Sequence, residues 1–302
     1  MDSRQECLKL LDLLARVIDA NKGYSVNGIS DGKRLLDAHY LANKYAKHAL
    51  TAFTVSRGMN IQLLSSKAIK IIDVGSIDVL TRAAFEAFLT FHYVFFAPRT
   101  KEERDYRYWA YIVAGIKWRK GLREISSEYK QKVVEDEKQL GKLHDDLESN
   151  IVFQNLHDNQ RKQIFQSNGE WKWAPGVKNH VSWSNIAIDA GFSEVLARHM
   201  YSLLCGYAHS SSLSVHQLAQ AFRKGEEEYL ISASIATLDI VTANMIREYC
   251  RLFTKAQSVL DIEPVASKMI EAWIEIGRRL DENLEIGQNN DSPSCFTQYP
   301  YP

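Results

Sequence analysis

The chain has little of what would bend it, stitch it or charge it. Six prolines among 302 residues leave long stretches free to be helical, since proline removes a backbone donor and ends a helix. The four cysteines, Cys7, Cys205, Cys250 and Cys295, lie far apart, with no Cys-x-x-Cys spacing and no clustered histidine. That argues against both a zinc site and a disulfide scaffold, and fits a reducing compartment. Net charge is absent too: 37 Lys and Arg balance 37 Asp and Glu. No global field recruits nucleic acid or an anionic membrane, although a local basic patch is not excluded. The opening stretch MDSRQECLKLLDLLARVIDA alternates charges with leucines and lacks the uninterrupted apolar core of a signal peptide. A cytoplasmic protein is the expectation.

Catalytic signatures are also missing. There is no P-loop, no Gly-x-Gly-x-x-Gly after a strand, no Gly-x-Ser-x-Gly, no His-Glu-x-x-His and no kinase set. Di-iron bundles need Glu-x-x-His on two helices, and that motif does not occur. His209 and His216 are seven apart, but the serine run between them is expected to break the helix that would align them. Neither a metal nor a cofactor is expected.

What is present is helical periodicity. Leu8, Leu11, Leu14 and Ile18 make one apolar stripe, so residues 2–20 read as an amphipathic helix. A turn-rich break follows, then a helix over about 31–55 with Leu35, Leu36, Tyr40, Ala46, Leu50 and Phe53 available for burial. The run to Val74 is ambiguous. A central helix covers about 76–96, and Thr100 with Glu103 forms a capping box that restarts helix after Pro98. Residues 127–149 are heavily charged and read as a surface helix or one arm of a helical pair. From 150 to 184 the pattern breaks down around three tryptophans, which suits an ordered irregular connection. Ser193 caps the next helix, a short helix carries Val215–Phe222, a long one runs over about 226–259, and Pro264 starts the last. No strand alternation competes. The fold class is all-α, an antiparallel helical bundle in one domain over 1–286. Residues 127–184 read as an insertion of charged helix and tryptophan-rich loop, and 287–302 as a flexible tail.

The stretch VLTRAAFEAFLTFHYVFF, Val79–Phe96, reaches roughly the length a bilayer needs. An Arg and a Glu inside it would cost several kcal/mol in lipid, so it reads as a buried central helix and not as a span. At about 100° per residue, Arg82 and Glu86 lie within about 40° of each other, with Tyr93 between them. The helix thus has apolar residues nearly all round and one polar seam. A buried arginine has five N–H donors and Glu86 satisfies only some of them, so other polar groups must reach the seam. The segment RHMYSLLCGYAHSSS offers a matching one. Taking Arg198 as zero, Ser202, Cys205 and His209 fall within about 40° of it. Such seams can also serve only to register two helices.

The hexapeptide RLLDAH, Arg34 to His39, fits the Arg-x4–6-His pattern of HEPN ribonucleases. About one or two such matches arise by chance from this composition, and this one lies near the start of the chain, whereas the motif belongs to a late helix. On the stretches SIDVLTRAAFEAFLTFHYVFF and MYSLLCGYAHSSS, the sequence resembles a family of uncharacterised bacterial all-helical proteins. That family has an Arg-x-x-x-Glu helix and a later Tyr-x-x-Leu-x-x-x-x-His segment. Arg82, Glu86, Tyr201, Leu204 and His209 occupy the matching positions. In outline this is similar to HEPN-like bundles, and the resemblance implies a setting in stress response or phage defence.

The first expectation is a bundle with a buried cluster of Arg82, Glu86 and His209 as reactive groups, and with Tyr201, Ser202, Tyr93 and Arg198 as ligand-binding groups. Its partner would be a small ligand or a protein, with RNA and a second copy of the chain left open and no membrane. The second is a HEPN-like metal-independent ribonuclease. The third is a structural subunit whose exposed aromatic stretch, 165–185, docks a larger partner.

Overall fold

The computed structural model describes residues 3–23, 31–62, 64, 68–120, 127–166, 169–209 and 211–287. The chain's tail, 288–302, lies outside them. Helix α1 (Ser3–Asp19) and helix α2 (Gly32–Ser56) lead into two short antiparallel strands, β1 (Met59–Ile61) and β2 (Ile69–Ile71), with Met59 opposite Ile71. These strands occupy the stretch whose pattern was ambiguous, where no strand was expected. Among the described residues they are the only sheet, and the all-α class holds.

Helix α3 (Val74–Phe91) starts where Asp73 accepts a hydrogen bond from the Ser76 N–H at 3.1 Å, and it widens into a π turn over His92–Phe96. There Ala97 N–H donates to the His92 carbonyl at 2.8 Å. Helix α4 (Lys101–Lys120) carries the predicted cap: Glu103 N–H donates to Thr100 Oγ1 at 3.1 Å. The Glu103 carboxylate reaches one residue further back than a standard capping box, to the N–H of Arg99 at 3.0 Å.

Helix α5 (Ser127–Glu148) returns along α4. The short α6 (Ile151–Gln154) and α7 (Asp158–Ile164) follow, inside the stretch expected to be irregular. Tyr106, Val113, Ile116, Leu147, Phe153 and Ile164 close a small apolar core of their own. The tryptophans of this region turn inward. Trp173 is buried, and Trp171 packs edge-on against Tyr93, Tyr111 and Trp183. The expectation of an exposed aromatic docking stretch over 165–185 is therefore corrected: those rings join the insertion to the main core.

The main core is built by α1, α2, α3 and α8 (Trp183–Asp189), α9 (Glu194–Ala208), α11 (Glu227–Leu252) and α13 (Pro264–Gly287). Helix α10 (Ser212–Lys224) ends at Gly225 in the left-handed region, φ 68°, a conformation that glycine adopts without a Cβ penalty. Helix α2 buries Ala38, Ala42, Tyr45, Ala49 and Ala52, while Tyr40 and Leu50, expected inside, are exposed. The small face wins because alanines let α2 lie close against α3. The long helix expected over 226–259 is two: Phe253 is extended (φ −126°, ψ 103°) and α12 (Thr254–Asp261) restarts after it. The Phe253 ring is buried and stacks on Tyr249 at 4.4 Å, so the break falls at a buried aromatic residue and not at proline or glycine.

Among the described residues one helix, α11, is long and apolar enough to cross a membrane, and 72% of its apolar window is buried inside the fold. It also carries Ser234, Asp239, Thr242, Asn244 and Glu248 as buried polar residues.

Candidate functional site

Helices α3 and α9 pack along each other, and their polar seams meet. Arg82 Nε donates to Glu86 Oε1 at 3.0 Å, and Nη2 lies 3.0 Å from the same oxygen. Tyr201 OH, from α9, also donates to Glu86 Oε1, at 3.2 Å. Arg82 Nη1 lies 3.2 Å from Nε2 of His209, the residue that ends α9. A guanidinium has donors only, so His209 Nε2 must bring its lone pair to this contact. The Arg82 guanidinium also sits 5.7 Å from the centre of the Tyr201 ring. Burial, Glu86 and Cys205 push the Tyr201 phenol up, and it stays a proton donor at neutral pH.

This cluster is not buried as expected. The side chain of Arg82 is 17% exposed and that of Glu86 32%, and His209 is exposed. The reason is local: α9 ends at His209, so no further turn covers the seam, and the arginine opens onto solvent. Ser193 begins the same helix, accepting from Leu196 N–H at 3.2 Å, which sets the rotation that aims Tyr201 and His209 at α3.

The other predicted residues lie elsewhere. Arg198 is exposed and pairs with Glu194 at 2.8 Å, and Ser202 is exposed. Tyr93 is buried under the Arg107 guanidinium, 4.1 Å from its ring centre, in a different part of the fold. Tyr93 shares the angular sector of Arg82 and Glu86 but sits two turns from Glu86, away from α9's end. In the RLLDAH match, Arg34 donates to Asp31 at 2.9 Å, whereas His39 bonds Tyr249 at 2.8 Å. Each residue of that pair is engaged separately. Among the described residues, no group of three or more His, Cys, Asp or Glu is placed to hold a metal ion.

A second polar group escaped sequence reasoning. His92, 4% exposed, is the first residue of the π turn. Its Nδ1 lies 2.7 Å from Glu248 Oε1 and its Nε2 3.1 Å from Asp189 Oδ2. Burial opposes charge on this imidazole, but the hydrogen bonds it donates to Asp189 and Glu248 overcome it and lift His92 to about 9. Burial pushes Glu248 up, with His92 pulling it back, while Asp189 is held down by its hydrogen bond to His92. The one available signal was a histidine inside the apolar run LTFHYVFF. Nothing local named its partners, which come 97 and 156 residues later.

Fold and seam together define an all-helical protein with a solvent-facing Arg–Glu–Tyr–His cluster between two core helices. The chain belongs to a family of unknown function (DUF5677), whose model matches residues 48–227, more than half of the sequence. That span holds Arg82, Glu86, Tyr201 and His209, and also His92 and Asp189, while Glu248 lies beyond it. No curated protein and no solved structure matches the chain.

Proposed function

We propose that this protein binds an anionic ligand or partner at the α3–α9 seam, with Arg82 and His209 as the recognising pair. The observation that carries the reading is the 3.2 Å contact between Arg82 Nη1 and the exposed His209 Nε2. Glu86 and Tyr201 fix the guanidinium from behind, so its orientation is set before any ligand arrives. A preorganised arginine loses less freedom on binding than a free one, and its planar fork matches carboxylate and phosphate. The setting we infer is the cytoplasm of a bacterium, in a defence or stress response. Support comes from Cys7, Cys205 and Cys250, which form no disulfide among the described residues, and from the likeness in outline to HEPN-like bundles. The test is mass spectrometry of small molecules and proteins that co-purify with the full chain. Wild type retains a specific anionic species or partner, and Arg82→Ala and His209→Ala both lose it. Retention of the same species by both variants overturns the reading.

A second reading, metal-independent RNA cleavage, is favoured by the lone pair that His209 Nε2 holds beside a guanidinium. His209 would take the proton of a 2′-hydroxyl as its oxygen attacks phosphorus. The P–O5′ bond breaks, the departing oxygen gains a proton from water, and Arg82 stabilises the charge on the phosphorane. The products are a 2′,3′-cyclic phosphate and a 5′-hydroxyl end. Expression of wild type then inhibits growth, and folded His209→Ala does not. An intact RNA pool after incubation with purified wild type rules this reading out.

A further inference from the structure

Beside His92 lies a hollow of about 490 Å³, lined by His92, Phe96, Arg99, Glu103, Arg107 and Asp189. Its volume is that of a small-molecule site, and its walls carry three cationic side chains. Arg107 is fixed: Nη1 donates to the Tyr93 carbonyl at 3.0 Å, Nη2 pairs with Glu103, and the guanidinium lies on the Tyr93 ring. Arg99 is exposed and uses only its backbone N–H, on Glu103. Its guanidinium faces Asp189, which it helps to hold down, and makes no hydrogen bond among the described residues that would stop it closing on a ligand in the hollow. His92 is held from behind by Glu248, whose side chain is fully buried, so the ring cannot turn away. The group on its other nitrogen differs in kind. Asp189 closes α8 and its side chain is 58% exposed.

We propose that this hollow binds a small-molecule carboxylate, which replaces Asp189 on His92 Nε2 and is clasped by Arg99. Asp189 is then a stand-in that satisfies His92 until the ligand arrives and swings into solvent when it does. Charge selects the ligand. With Asp189 out, His92, Arg99 and Arg107 outnumber the carboxylates of Glu103 and Glu248 around the hollow. An oxyanion offsets that excess, and a carboxylate reproduces the hydrogen bond it displaces. Phe96 supplies an apolar wall for the rest of the molecule. The site is separate from the α3–α9 seam and does not depend on its role.

The experiment titrates benzoate into the full chain labelled with 15N-histidine and follows the His92 ring signals by NMR, with dimethyl phosphate as a control of equal charge. Benzoate shifts the His92 signals saturably. Asp189→Asn tightens binding about tenfold by removing the competing charge, and Arg99→Ala weakens it about tenfold. Both side chains are exposed, an asparagine Oδ1 can still accept from His92 Nε2, and His209→Ala, at the separate seam, leaves the titration unchanged. Absence of a saturable shift, tighter binding of dimethyl phosphate than of benzoate, or indifference to Asp189→Asn would each overturn the proposal.

Discussion

Glu248 meets His92 at 2.7 Å inside the fold, with no part of the glutamate side chain reaching solvent. Two groups that each lose hydration on burial are retained because each answers the other, and removing one strands its partner. Glu248→Ala is expected to destabilise the fold by about 3–5 kcal/mol, measured by urea unfolding at pH 7. A loss under about 1 kcal/mol would show that water or another group takes the place of the carboxylate.

The same pair sets a pH dependence. His92 has its folded pKa lifted to about 9, above the usual histidine value of about 6.5. Its contribution is therefore whole below about 6.5 and is lost as pH rises through about 9. Glu248, also raised, acts with the same sign, and Asp189, which is lowered, acts only in acid. Thermal stability should fall between pH 7 and 9.5 in wild type and flatten in His92→Gln. An equal slope in the two proteins would assign the alkaline loss to other groups.

Asp239 is a different case: it is fully buried, and neither carboxylate oxygen has a nitrogen or oxygen donor among the described residues. Burial raises it to about 7, with the Cys7 thiol partly offsetting. A carboxyl raised in the fold makes stability fall as pH climbs from about 4 to about 7, after which the loss is complete. Asp239→Asn removes that ionisation, and at pH 8 it should gain about 1–3 kcal/mol, the lower part of the roughly 4 kcal/mol that a rise from about 4 to about 7 represents. Calorimetry at pH 5 and pH 8 checks it: the variant's advantage must appear at pH 8 and shrink at pH 5.

The seam at Arg82 was legible because a helix at about 100° per residue puts Arg82 and Glu86 on one side from spacing alone. The later segment ending in His209 has its own polar stripe by the same rule. Matching two stripes needed no knowledge of the loops between them. How far the seam is buried was not legible, since exposure depends on where α9 stops and what covers it. The Glu248–His92 pair was hidden for the opposite reason: each residue is isolated in an apolar helix, and only tertiary packing brings them together. The alanine face of α2 was missed because stripe reading favours large side chains, whereas close helix contact favours small ones.

Exposure also changes what Glu86 is worth. With Glu86 about a third exposed, its pair with Arg82 contributes on the scale of a surface ion pair, about 0.5–1 kcal/mol. Glu86→Gln should therefore unfold within about 1 kcal/mol of wild type, while releasing the guanidinium from its fixed orientation. Urea denaturation reads the first effect, and retention of the co-purifying species reads the second. A loss of 3 kcal/mol or more would mean that the seam is closed from solvent.

Gly277 marks a tight crossing of α13 and α11. A Cβ built there would stand 2.5 Å from Ile240 Cγ2, on α11, closer than two carbons approach. The Gly277 carbonyl also accepts from Ser193 N–H at 2.9 Å, at the start of α9. One residue without a side chain thus lets α13 seat against α11 and reach the cap of the helix that carries Tyr201 and His209. Gly277→Ala is expected to cost about 1–3 kcal/mol by overpacking, despite alanine's better helix propensity. Ile240→Ala alone leaves a cavity and costs about 2–5 kcal/mol. In the double variant the new methyl enters that cavity, so the two losses should fall short of additive by at least about 1 kcal/mol. Additive losses in urea unfolding would mean that the helices shift apart instead of clashing, and that α9 is not anchored through this contact.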